Sequence, residues 1–289
     1  MAFEIITDSS ANLSKSVIKE LGIRVISLSF FLGEEEHKSF CEEVDFDYKA
    51  FYDRLRNKEH VKTSLINADR FMEEYEAVLS QGKDLLAIIV SSGISGTFQA
   101  SKIAADSLRE KYPERQIIVI DSLAASVGQG LLVYYAAKMR EEGKTIEETA
   151  DWIYKNRLSL VHQFTVDDLF FLKRGGRLSG GVAVIGTILQ IKPVLHVDDE
   201  GHLIAQEKVN GRKKSINRMV EIFKNNVEDA ENQVIGISYG DCLQDAEYLV
   251  KKIKEVANVK DIMMNMLDPV IGAHSGPGTL ALFYLGKKR

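Results

Sequence analysis

Residues 85–97 read Leu85-Leu86-Ala87-Ile88-Ile89-Val90-Ser91-Ser92-Gly93-Ile94-Ser95-Gly96-Thr97. Six apolar residues in a row, several of them β-branched, suit a strand buried on both faces, as in a parallel sheet covered by helices. The small polar run that follows suits the turn from that strand into a helix. Working outward, Phe3 to Thr7 and Ile117 to Ile120 read as further strands, each ending in small polar residues: Thr7-Asp8-Ser9-Ser10 and Asp121-Ser122. Ile23 to Phe31 reads as one more β-rich run. Asn67 can cap a helix whose Phe71, Tyr75, Val78 and Leu79 share a face. A long helical segment runs from about Leu123 to Glu142, and Thr145 with Glu148 reads as a capping box opening the next helix. This alternation predicts an α/β fold whose first half is a mostly parallel, doubly wound sheet.

The second half has a different rhythm. Val194–Val197 and His202–Lys208, joined by Asp198-Asp199-Glu200-Gly201, predict a hairpin. Ile216, Met219, Val220, Phe223 and Val227 mark an amphipathic helix. Val234–Tyr239 reads as a strand, and Leu243, Ala246, Val250 and Ile253 mark another helix. These elements predict a second α/β unit, a mixed sheet with flanking helices. The division is placed at 1–159 and 160–289.

Composition narrows the function classes. A chain of 289 residues with 45% hydrophobic and 27% charged content is expected to be globular, and its net charge of −5 argues against nucleic acid as partner. No apolar run is long enough for stable insertion across a bilayer. Met1-Ala2-Phe3-Glu4 lacks the features of a signal peptide, and Cys41 and Cys242 match no ligand spacing, so a cytoplasmic protein with reduced thiols is expected. The histidines, at 37, 60, 162, 196, 202 and 274, show no helical i, i+4 pair, so no metal is expected. Phosphate-binding and dinucleotide fingerprints are absent, and no cofactor is expected.

In open α/β sheets the ligand crevice lies beyond the carboxyl ends of the strands. The hydroxyls of the first half collect there. In Ser91–Thr97 the glycines permit close backbone approach, and free N–H groups at the helix start favour an anion. The plainer alternative is that Ser95 or Thr97 only caps the helix. Thr63-Ser64 likewise admits a loop or cap reading. His274 stands in the glycine-dense Gly272-Ala273-His274-Ser275-Gly276-Pro277-Gly278-Thr279. Gly128 and Gly130 inside the long helix imply close approach of a bound chain or another element.

Several segments together resemble the DegV family of bacterial fatty-acid-binding proteins, which includes the acyl-carrier subunits of fatty acid kinase. They are Ile6-Thr7-Asp8-Ser9-Ser10, Thr63-Ser64, Ser91–Thr97, Leu172-Lys173-Arg174-Gly175-Gly176-Arg177-Leu178, Ile191-Lys192-Pro193-Val194 and Gly272–Thr279. After Thr63-Ser64, many members continue Gln-Pro where this chain has Leu65-Ile66-Asn67. The acidic stretch from Glu34 to Asp45 is also less typical, and reads as a solvated loop near the entrance. The resemblance implies two α/β domains with a long-chain fatty acid between them. It implies that Thr63 and Ser95 bind the carboxylate with His274 close by, joined by Ser64 and Gly96. It further implies a separate kinase catalytic subunit that phosphorylates the bound acid, with Arg174 and Arg177 as candidates for the surface facing it. Ile94, Phe98, Phe30, Leu131 and Ile188 are candidates to line the acyl chain. On this reading the protein is a carrier, not an enzyme. Neutral donors, unlike an ion-pairing arginine, leave the carboxylate reactive.

Two other readings stand beside it. Ser95, Asp268 and His274 occur in the chain order of a hydrolase triad, with Gly93-Ile94-Ser95-Gly96 at a strand-to-helix turn. A carrier of another lipid with no kinase partner is the second.

Overall fold

The computed structural model describes residues 3–179 and 191–289. Ile188, named above as a candidate to line the acyl chain, lies outside them.

The first sheet contains β1 (Phe3–Asp8), β2 (Ile23–Ile26), β6 (Asp84–Ile89) and β7 (Ile117–Asp121) in the order β2-β1-β6-β7, every pairing parallel. β6 is buried at every position, which accounts for its unbroken apolar run. Asn67 caps its helix through the Arg70 amide, and Thr145 and Glu148 complete both bonds of the capping box.

A second sheet departs from the sequence expectation. β3 (Ser29–Leu32), β4 (Glu35–Lys38) and β5 (Val61–Ser64) pair antiparallel in the order β4-β3-β5. The run Ile23–Phe31 is therefore two strands in two sheets. The break falls at Ser27-Leu28, where side chains intercept the backbone bonds. The Leu28 amide donates to Ser9 Oγ at 3.0 Å, and Ser27 Oγ accepts from the Phe40 amide at 2.9 Å. Part of the acidic stretch is likewise strand rather than loop: Glu35–Lys38 pairs with β3, and His37 stacks on Phe30.

The third sheet holds β8 (Leu160–Thr165), β9 (Leu178–Ser179), β10 (Ile191–Val197), β11 (Leu203–Asn210), β12 (Val234–Tyr239), β13 (Asp261–Met266) and β14 (Leu280–Leu285), in the order β13-β12-β14-β8-β10-β11-β9. It is mixed: β12–β13 and β11–β9 are parallel and the other pairs antiparallel. The β10–β11 hairpin is present, its tip held by Asp198 Oδ1, which accepts from the amides of Glu200 and His202. Among the described residues, no helix is long and apolar enough to cross a membrane.

The helix Val127–Glu141 lies between the first and third sheets. One continuous core joins Ile5, Leu86 and Ile88 to its Val127 and Leu131, and these to Leu195 and Phe283 beyond. It begins four residues later than periodicity suggests, because Leu123 and Ser126 adopt positive φ of 50° and 56° and turn the chain first. Its glycines answer the question they raised. A Cβ at 128 would come within 2.5 Å of His162 Nε2, and one at 130 within 2.5 Å of the Ala11 carbonyl oxygen. Both neighbours are protein, not a bound chain.

Candidate functional site

The ends of β5 and β6, the helix Pro269–Ser275 and the inner face of the third sheet enclose a cavity of about 230 Å³. A water needs roughly 10–15 Å³ measured this way, so the space suits an extended ligand rather than a few solvent molecules. Thr63, Ser64, Ser95, Gly96 and His274 all line it, together with Ile94. These residues come from three distant parts of the chain.

At one end Thr63 Oγ1 and His274 Nε2 are 2.8 Å apart. Thr63 sits near the end of β5, which places its side chain beside the last turn of Pro269–Ser275. That short helix is fixed at its start by Asp268, whose Oδ1 accepts from the Val270 and Ile271 amides and from Ser39 Oγ. Gly175 packs directly on the imidazole, since a Cβ there would meet His274 Nδ1 at 2.4 Å. Burial first, then the charges of Arg177 and Arg174, push the His274 pKa down to about 4, so the ring is neutral at ordinary pH.

Ser95 has a second bond. Its Oγ lies 2.8 Å from Thr97 Oγ1 and accepts from the Thr97 amide at 3.2 Å, at the start of the helix Thr97–Lys111. The N-cap of that helix is Gly96, with no side-chain cap bond, so Ser95 holds the first helical amide from one residue further out while also lining the cavity. Ser91, at the head of the loop, donates to the Gly201 carbonyl at 2.9 Å, tying the loop to the hairpin tip of the third sheet.

Other expectations are corrected. Arg177 is half-buried and lines the cavity, its Nε donating to the Ile94 carbonyl at 3.1 Å and its Nη1 to that of Gly175. Half-burial lowers its pKa by desolvation. The polar end is therefore bordered by a cation as well as by neutral donors. Arg174 lies outside the cavity lining, its guanidinium over the rings of Phe170 and Phe171. Phe30 is fully buried in an aromatic cluster with Phe46 and Phe51, and Leu131 in the core against Gly236. Phe98 is partly buried against the core that contains Phe30 and Phe71. None of the three lines the cavity. The apolar wall instead comes from Leu28, Val90, Leu172, Leu267, Val270 and Ile271, which carry no signal in the sequence beyond being hydrophobic.

The two ends differ in exposure. Ser64, Leu65 and Gly96 at the polar end are exposed, whereas His162, Phe164 and Phe283 at the other are buried. The hydrolase triad is not assembled. Asp268 is spent on the helix start and Ser39, His274 bonds Thr63, and Ser95 bonds Thr97. Among the described residues no three His, Cys, Asp or Glu side chains gather as a metal site.

Residues 2–287 match the family described as "Uncharacterised protein, DegV family". A DegV domain-containing protein of Clostridium perfringens is 43% identical over 286 residues, covering 98% of this chain and 97% of that one. A solved structure from Thermus thermophilus, reported as fatty acid binding of a DegV family protein, superposes with a TM-score of 0.89 at 28% identity, covering 98% and 99% of the two chains. DegV of Bacillus subtilis, described as a fatty acid binding protein, gives 0.84 at 28% identity over 99% and 100%.

Proposed function

This chain belongs to the DegV family, and on that premise we propose that it binds a long-chain fatty acid in the cavity between its first and third sheets. The observation that carries the proposal is the makeup of the cavity: Thr63, Ser64, Ser95 and the neutral His274 gather at its exposed side, and the rest of the lining is mainly apolar, with Ser126, Ser238 and His162 among it. Burying the roughly fifteen methylenes of such a chain at ~0.8 kcal/mol each contributes on the order of 10 kcal/mol before ordering costs. Desolvating the carboxylate costs several kcal/mol. Two or three hydrogen bonds to the charged group, at ~1.5–3 kcal/mol each, offset that cost. The tail thus supplies affinity and the head group supplies orientation.

In this reading Thr63 and Ser95 donate their hydroxyl protons to the carboxylate. His274 then donates through Nε2 to Thr63 Oγ1, freeing the threonine proton for the ligand. Ser64, Gly96 and Arg177 border the same head group. No cofactor is required.

The proposal extends to a partner. An acid held at the exposed end, with its tail buried, is accessible to a second protein. A kinase subunit that converts the carboxylate to an acyl-phosphate fits that geometry. Arg174, beside the cavity but outside its lining, is the candidate contact. The chain division at 159/160 belongs to the same proposal, with the carboxylate donors, Leu28 and Val90 on one side and His274 and the rest of the tail wall on the other.

Extraction of the purified protein followed by mass spectrometry tests the ligand directly. A long-chain fatty acid is expected. Recovery of a lipid without a carboxylate overturns the reading in favour of another lipid carrier.

A further inference from the structure

The face of the third sheet that borders the cavity is built in cross-strand rows, because alternate residues of each strand point the same way. In the first row Ser238 pairs with Ala281 and Ala281 with Phe164, and all three line the cavity. In the second row Gly236 pairs with Phe283 and Phe283 with His162, and the two rings line the cavity. In the third row Leu285 pairs with Leu160, and neither lines it. Among the described residues, the cavity thus passes over Ser238 and Ala281 and stops at Phe283 and His162.

These two rings pack edge to face, their centroids 5.2 Å apart. The sheet lies behind them and the helix Val127–Glu141 in front, where it presents Gly128. A Cβ at 128 would stand 2.5 Å from His162 Nε2 and 2.7 Å from Phe283 Cδ1, well inside the ~3.5–4.0 Å of an ordinary contact. Gly128 is not among the glycines with positive φ, so the backbone does not demand a glycine there. Glycine also weakens a helix relative to alanine. What position 128 requires is room for the two rings.

We propose that Gly128 sets the length of acyl chain the cavity accepts, by letting Phe283 and His162 withdraw from its end onto the helix. The inference rests on the fatty-acid reading above and deepens it. A methyl group at 128 has to displace both rings. Their own strands block them from behind, and Leu160 and Leu285, both packed in the core, block them from the third row. The cavity is the empty side, so the rings move into space that the end of the tail would fill. Each methylene excluded in this way lowers affinity about fourfold.

Competition binding against a fluorescent fatty acid, with straight saturated acids of about twelve to twenty carbons as competitors, provides the test. In Gly128→Ala the longest well-bound acid is expected to be one or two carbons shorter than in the natural protein. The natural optimum should bind about four- to fifteenfold more weakly, and acids already shorter than the new limit should bind nearly as before. Phe283→Leu, which takes a ring out of the end wall, should move the limit the other way, to longer acids. A general loosening of the fold cannot shift the two variants in opposite directions. An unchanged profile or an equal loss at every length in Gly128→Ala overturns the inference, and so does a limit that fails to lengthen in Phe283→Leu. If alanine at 128 prevents folding, Phe283→Leu decides alone. If no acid of any length displaces the probe from the natural protein, the fatty-acid reading itself has failed, which is a different outcome.

Discussion

At the scale of single residues, the candidate site depends on a bond between positions 63 and 274 that no periodicity can reveal. Thr63-Ser64 alone reads more simply as a loop or cap, and His274 alone as a structural histidine in a glycine-dense loop. Only their joint occurrence marked them, and only the fold brings them together. Thr63→Val removes the hydroxyl with little change of shape and is expected to weaken fatty-acid binding about tenfold, measured by equilibrium titration, and to cost ~1 kcal/mol of stability because His274 Nε2 loses its partner. Ser95→Ala should weaken binding similarly and also cost ~0.5–1 kcal/mol of stability, the loss of one ordinary hydrogen bond, because Ser95 Oγ accepts from the Thr97 amide. The His274 pKa gives a sign that can be checked. Its folded value of about 4 lies below the ordinary 6.5, so the unfolded chain takes the proton first. The histidine's contribution to stability is therefore complete above pH ~6.5 and is lost as pH falls from there toward 4. Urea unfolding of the natural protein and of His274→Asn across that range should converge as pH falls. A constant gap would refute the assignment of a neutral ring.

At the scale of elements, strongly patterned segments were legible and the interrupted ones were not. β6 announces itself with five apolar residues, Leu85 to Ile89, and Val90 directly after them. β8, in the middle of the third sheet, reads Leu-Val-His-Gln-Phe-Thr and breaks its own pattern with His162 and Gln163, both buried. β3 was merged with β2 because side-chain bonds to the backbone at Leu28, not composition, separate them. The hairpin was read correctly, but its contact was not. Gly201, at φ +81°, sits where a Cβ would lie 2.0 Å from Ser91 Oγ. Gly201→Ala is expected to destabilise the fold by ~1–3 kcal/mol and to reduce fatty-acid affinity as well, since Ser91 opens the loop that carries Ser95. Thermal unfolding and ligand titration on the same sample check both effects. Lower stability with undiminished affinity would separate the hairpin tip from the site.

At the scale of the whole molecule, two α/β halves were legible from the change of rhythm along the chain. The lining of the cavity was not, because core and tunnel residues share one composition and differ only in which void they face. Phe30 and Leu131 illustrate this: both are large and apolar, and both are buried away from the ligand space. A ligand held between two sheets should hold them together. At a concentration a hundredfold above its dissociation constant, a fatty acid adds ~2.7 kcal/mol to folding stability. Stripping bound lipid should lower the unfolding temperature by several degrees, and adding fatty acid back should restore it. The helix Val127–Glu141 bears on the same unity. Its residues belong to a core shared by the first and third sheets, although the helix lies wholly within the first half of the chain. A gene fragment ending at residue 159 would therefore encode a subunit with one greasy flank bare, prone to clump with its own kind until the missing piece arrived. The halves are better regarded as complementing fragments than as independent modules, and shuffling one without the other would carry half of that helix's packing away.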